Sequence, residues 1–269
     1  MLKGNEQIVP NNFTMVLMFA HHSLRRDRMD YRPQKLASKY KLSANTLRNY
    51  EAKGLIPPAA RSANGYRIYT QQHEAYLACI QAMTPAFGME VTSEVLHRIG
   101  RNELDDALWV VRDREVMLHR EKASLDQLVE ELRAYAEGSR VYDANQRFSI
   151  HEVSIRSGAP KSAIRYWEKS GLFTTERDPD NEYRLFNETH LFKIKMIQVL
   201  QSAVYSEETV NLKRSIACLD LQNIEDTREL VERIKTYLDK TIRLQMKGLY
   251  FLYRLIQELN LSDTTEEYT

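Results

Sequence analysis

The sequence predicts a mainly α-helical protein built from two copies of one unit, in which a short helical pair with a small β-ribbon is followed by a long coiled-coil helix. Three observations carry this expectation. The stretch from Leu47 to Tyr69 reads as helix, stop and hairpin. The same stretch recurs downstream without a gap, Leu47 to Leu55 falling on Ile164 to Leu172, which marks an internal repeat. Each copy is followed by a long run with apolar residues at alternating three and four spacings, over 103–137 and 224–260.

Taken in order, residues 1–30 are an N-terminal extension with an apolar run, Phe13 to Ala20, and a basic cluster of Arg25, Arg26 and Arg28. The first unit spans 31–100. Pro33 to Tyr40 reads as a short helix, with Leu36 and Tyr40 on one face. Ser43 is a good N-cap for a second helix marked by Leu47 and Tyr50, and Gly54 suits the left-handed turn that ends it. Pro57 and Pro58 forbid continuation. Asn64-Gly65 between β-compatible runs predicts a two-residue type I′ hairpin, because that turn needs φ > 0 at both central positions. Two more helices are expected at His73–Met83 and Val91–Gly100, with Phe87-Gly88-Met89 between them.

From 103 to 137 the pattern becomes one long helix, with Leu104, Leu108, Val111, Leu118, Leu125, Val129 and Leu132 as its apolar seam. It contains neither Gly nor Pro, and thirty-odd helical residues extend roughly 50 Å, too far for one small domain. Residues 138–146 form a linker. The second unit, 147–218, repeats the first, and 224–260 supplies a second long helix through Leu230, Ile234, Tyr237, Leu244, Leu252, Ile256 and Leu259. Its end, Leu249 to Ile256, is apolar nearly all round and is expected to be buried on more than one side. A polar tail, 261–269, closes the chain.

Two helices joined by a tight turn and followed by a β-ribbon make a winged helix-turn-helix. Here Arg48, Tyr50, Glu51, Gly54, Leu55, Pro57, Pro58, Arg61, Gly65, Tyr66, Arg67 and Tyr69 fall in a fixed order. In residue type and spacing this resembles the MerR-type transcription regulators. The resemblance implies double-stranded DNA, a promoter or operator, as partner. It also implies distortion of a promoter that RNA polymerase then engages, and dimerisation through antiparallel long helices. Family members normally carry one such unit per chain, so a chain with two is expected to form either an intrachain pseudo-dimer or a homodimer with four heads.

The resemblance also implies residue roles. Arg48 and Tyr50 would face the DNA backbone, and Ser43, Asn45 and Asn49 would approach bases or phosphates. Arg61, Tyr66 and Arg67 on the wing would hold phosphates, with Lys35, Lys39 and Lys41 adding charge. The second unit offers Lys161, Arg165, Trp167, Tyr183 and Arg184. It departs where Gly65 becomes Glu182 and Arg61 becomes Asp178. Together with Glu176 and Asp180 these place four carboxylates where phosphates would approach. Its wing is therefore expected to be a poor clamp. The first unit departs at Lys41, where the second has Gly158.

Charge sharpens this asymmetry. The chain carries +1 overall, yet 31–73 holds eight Lys/Arg against one Glu, a balance of +7. The matching window 148–190 holds six against seven, or −1, and 103–137 holds five against ten, or −5. A local basic surface binds phosphates regardless of net charge. Cys79 and Cys218 occupy non-equivalent repeat positions and have no partner at metal-ligand spacing, so a structural role is expected, with neither metal nor cofactor. Phe13 to Ala20 is far short of the roughly 20 apolar residues that span a bilayer, and a cytoplasmic, nucleoid-associated protein is expected. No nucleophile, base and orienting residue cluster at a recognisable spacing, which speaks against an enzyme. Two rival readings stand: a ligand- or metal-responsive sensor, and a chain whose first head binds DNA while the acidic second head binds a protein.

Overall fold

The computed structural model describes residues 31–139, 143 and 146–261; the expected N-terminal arm, most of the linker and nearly all of the tail lie outside them. Among the described residues there are nine helices and two two-stranded antiparallel ribbons. The first unit comprises α1 (Pro33–Lys39), α2 (Ala44–Ala52), β1 (Ala60–Arg61), β2 (Arg67–Ile68), α3 (Gln71–Gly100) and the long α4 (Leu104–Ala136). The second repeats it with α5 (Ile150–Ser157), α6 (Lys161–Lys169), β3 (Glu176–Arg177), β4 (Arg184–Leu185), α7 (Glu188–Val199), α8 (Glu207–Cys218) and the long α9 (Ile224–Glu258).

Local chemistry explains these elements. Ser43 caps α2 by accepting the Thr46 amide at 3.0 Å, and Ser149 and Glu152 form a capping box at α5. The α1–α2 turn puts Lys41 at φ 51, whereas Gly158 meets the same demand at φ 73. A lysine there costs about 1 kcal/mol, because its Cβ crowds the following carbonyl. The two helices expected at 73–83 and 91–100 both lie within α3, separated by a kink at Gly88, whose φ of 82 and ψ of 161 are not helical. Each head is closed by a bridge between the entering chain and the ribbon, Tyr31 to Tyr69 and Phe148 to Phe186.

The cores show how the units combine. Leu36, Leu47, Leu55 and Ile56 of the first head share a core with α3, with Ala107 and Val111 from the start of α4, and with Leu252, Leu255 and Ile256 from the end of α9. Phe148, Val153, Ile164 and Phe186 of the second head share the other core with Leu118, Leu125, Leu128 and Leu132 of α4 and Leu230, Ile234 and Tyr237 from the start of α9. Each long helix thus has one end in each core, and the ends are opposed, so α4 and α9 run antiparallel. Of the expected seam residues on α4, Leu108 is exposed and Val129 half-buried, while Leu128 takes a buried place. At the apolar end of α9, Leu252, Leu255 and Ile256 are buried and Leu249, Phe251 and Tyr253 half-buried, while Tyr250 faces outward.

Candidate nucleic-acid interface

In the first head, α2 stands behind its Ser43 cap with Lys35, Asn45, Arg48 and Asn49 exposed on the surface of the helical pair. Tyr50 is half-buried against the core, and burial raises its phenol above the ordinary value. Ser43 is exposed, yet its hydroxyl is already committed to Thr46. Lys39 is committed too, in an ion pair with Glu74. Burial would raise the Glu74 carboxyl, but hydrogen bonds from Lys39, Tyr31 and Tyr40 outweigh it and hold the group low. In the second head Lys161 and Arg165 are exposed, and Trp167 packs partly into the core as Tyr50 does.

The wings are tied to these helices by one device used twice. Arg67 Nε donates to Glu51 Oε2 at 2.8 Å, and Arg184 Nε donates to Glu168 Oε2 at 2.5 Å. In the second head, burial would raise Glu168, but hydrogen bonds from Thr175 and Arg184 hold it low. Each arginine is therefore oriented from one edge of its guanidinium. Tyr66 and Tyr183 stand at the wing tips, 72% and 73% exposed.

Two expectations about the wings are corrected by strand register. The first wing is not a two-residue type I′ hairpin. Arg61 pairs with Arg67, Ser62 N–H donates to Tyr66 O, and Gly65 N–H donates to Ser62 O. That is a three-residue loop in which Gly65 takes positive φ and Asn64 does not. In the second wing Arg177 pairs with Arg184, and Asp178 N–H donates to Tyr183 O, so the loop is one residue longer. Asp178 thus occupies the place of Ser62, and Arg177 the place of Arg61. Arg61 Nη1 donates to Gly65 O at 3.0 Å, and Arg177 Nη1 donates to Glu182 O at 3.3 Å. The gap-free alignment hid Arg177, because an ungapped shift preserves chain position but not strand partner.

The longer loop also forms without glycine. Glu182 adopts φ 60, and the Asp178 carboxylate accepts the amides of Asp180 and Asn181 at 2.9 and 3.3 Å. One of the four expected obstructing carboxylates is therefore consumed inside the turn, and Glu176 lies 3.6 Å from Arg147.

A histidine locks the base of each wing. His73 Nδ1 accepts the Thr70 amide, and its buried Nε2 faces the Pro57–Pro58 carbonyls without a hydrogen bond of good geometry. His190 Nδ1 accepts the Asn187 amide, and its Nε2 lies 2.7 Å from Thr174 O. Burial lowers both imidazoles below the ordinary value.

Elsewhere, Cys79 is buried and its thiol is pushed up to about 12 by desolvation, while Cys218 is exposed. Among the described residues no group of three metal-ligating side chains occurs, and no helix is long and apolar enough to cross a membrane.

Comparison with known proteins bears on both heads. Residues 32–69 match the model of the MerR family regulatory protein, and 148–212 match that of the MerR HTH family regulatory protein. The chain is 32% identical over 105 residues to the HTH-type transcriptional regulator CueR of Salmonella typhi, covering 38% of this chain and 76% of that protein. It is 44% identical over 57 residues to CueR of Escherichia coli O6:H1, covering 21% of this chain and 42% of that protein. It is also 30% identical over 95 residues to the HTH-type transcriptional regulator HmrR of Rhizobium leguminosarum bv. viciae, covering 35% of this chain and 73% of that protein. No solved structure matches the chain.

Proposed function

The chain belongs to the MerR family of regulatory proteins, and from that premise we propose that it is a cytoplasmic, sequence-specific DNA-binding transcription regulator with two unequal heads in one chain. The observation that carries this reading is the doubled interface. Each head presents an exposed arginine on its second helix, Arg48 or Arg165, a wing-tip tyrosine, and a wing arginine held by a helix glutamate. Antiparallel α4 and α9, each rooted in both cores, make the single chain a pseudo-dimer able to address two half-sites one helical turn, about 34 Å, apart. Asn45 and Asn49 in the first head stand where the second has Ser162 and Tyr166, so the half-sites read need not be symmetric.

The first head supplies most of the affinity, through its balance of +7 against −1. Rigidly coupled heads on one duplex reward a bend or twist that brings both backbones into contact, which is how contact energy distorts a promoter ahead of RNA polymerase. The rival in which the second head binds only protein is disfavoured by Arg177, which restores a cation to that wing.

The test is selection of bound duplexes from random DNA, followed by footprinting of Arg48→Ala and Arg165→Ala. We expect a two-part site in which Arg48→Ala erases both halves and Arg165→Ala erases one. Protection of a single half-site by the parent protein would reject two-headed binding.

A further inference from the structure

The two heads meet the long helices through unlike joints. In the second head the chain leaves α7 by a turn at Ser202 before it enters α8, and α4 holds that turn. Glu121 accepts the Ser202 amide and the Ser202 hydroxyl, each at 2.7 Å. Arg114, two helical turns earlier on α4, donates to the Ser202 carbonyl at 2.9 Å. The amide, hydroxyl and carbonyl of one residue are thus all bound to α4. Glu121 is buried. Burial works against its charge and raises the carboxyl, while the two Ser202 bonds oppose that rise. A carboxyl in so dry a place depends on having its acceptors filled, and here one residue fills both oxygens.

The first head lacks this grip. Pro85, inside α3, stands at the repeat position of Ser202 and has no amide to donate. Matching the buried residues of the long helices, Ala107 with Thr227, Val111 with Val231 and Leu118 with Leu238, puts Thr241 of α9 in the place of Glu121. The Thr241 hydroxyl donates to Tyr237 O of its own helix. What joins α9 to the first head is close apolar contact, Gly248 against Phe87 and Met83. Both joints nevertheless meet at one point. Ala86 and Ala203, equivalent in the repeat, line one small cavity of about 10 Å³ together with Glu121, Ser202 and Thr241. It has room for at most one water. Apolar packing is non-directional, whereas hydrogen bonds weaken steeply off line, so the bonds to Ser202 set the register of this joint on α4.

We propose that Glu121 is a positioning residue: acting through Ser202, it fixes the second head in one orientation relative to the first, and with it the half-site spacing that the chain accepts. The inference rests on the two-headed reading above.

The first test needs no DNA. Spin labels are placed at Ser38→Cys and Ile155→Cys, equivalent exposed positions on α1 and α5, in a Cys218→Ser background where Cys79 stays buried. The parent should give one narrow distance, and Glu121→Leu should broaden it at least about twofold. Glu121→Gln, which keeps an acceptor for the Ser202 amide, should stay close to the parent. A Leu variant as narrow as the parent, or a Gln variant as broad as Leu, would overturn the proposal. Circular dichroism checks folding, and should Glu121→Leu not fold, Ser202→Ala removes one bond only and an unchanged width there would overturn it equally.

The second test uses a selected operator and the same operator with one base pair inserted between its halves. The insertion should weaken the parent about tenfold and Glu121→Leu only about twofold, because the freed head follows the displaced half-site. Equal losses would reject control of spacing by Glu121. A parent that ignores the insertion would reject two-headed binding itself, while the label distances still decide whether Glu121 fixes the head.

Discussion

At the residue scale, the informative side chains are those whose partners were not evident from chain position. Arg177 stands where Arg61 stands in the first wing, so Arg177→Ala should weaken operator binding and lower the salt slope by about one unit. Asp178→Arg, which an ungapped alignment would offer as a repair, should instead damage the wing, because it removes the acceptor for the Asp180 and Asn181 amides. Binding measured over a salt series distinguishes these outcomes. The paired histidines make a second prediction. Their folded values lie below the ordinary 6.5, so the unfolded chain binds protons more readily there. Their contribution is fully present above that pH and is lost as pH falls through it towards the lowered folded values. Melting followed from neutral to mildly acid pH should show this loss, and His73→Gln with His190→Gln should flatten it. An unchanged slope in the double variant would assign the acid sensitivity elsewhere.

Elements depend on close approach as much as on propensity. Gly248 lies inside α9 where that helix crosses α3. A Cβ there would sit 3.0 Å from a Phe87 ring carbon and 3.4 Å from the Met83 Cα. Gly248→Val should therefore destabilise the fold by about 1–3 kcal/mol through overpacking, despite removing a poor helix former. Gly100→Ala at the end of α3 meets nothing within 4 Å and should be neutral or gain up to about 1 kcal/mol. Denaturant titrations of the two variants give the comparison, and equal effects would show that the helix crossing is not tight. The wings show the complementary case, in which one extra loop residue changes strand partners while leaving the Arg–Glu tie to the helix intact.

The whole molecule is interlocked, because α9 completes the core of the first head and α4 that of the second. A chain ending at Gly138 would lose Leu252, Leu255 and Ile256 from the first core and expose the faces of α3 and α4 that they cover. Such a truncation is expected to dimerise through its own α4 or to lose cooperative melting. Sedimentation together with thermal unfolding reads out both. A stable, sharply melting monomer would contradict the shared core. For the intact chain the same interlocking predicts one unfolding transition rather than two, since neither head retains its core alone.

The sequence by itself determined the repeat, the helical pairs, the winged units, the two long helices and most of the exposed cations, because each is written in local signals: caps, glycines, prolines and apolar periodicity. Glu51 was legible as a member of the motif. Only the tertiary structure decided that Arg67 is its partner, that Arg177 rather than Asp178 matches Arg61, that Leu108 and Tyr250 face outward, and that each long helix serves both heads. Strand register and helix pairing join residues far apart in the chain. They depend on which partner a side chain meets across space, and an ungapped alignment or a heptad pattern carries no information about that.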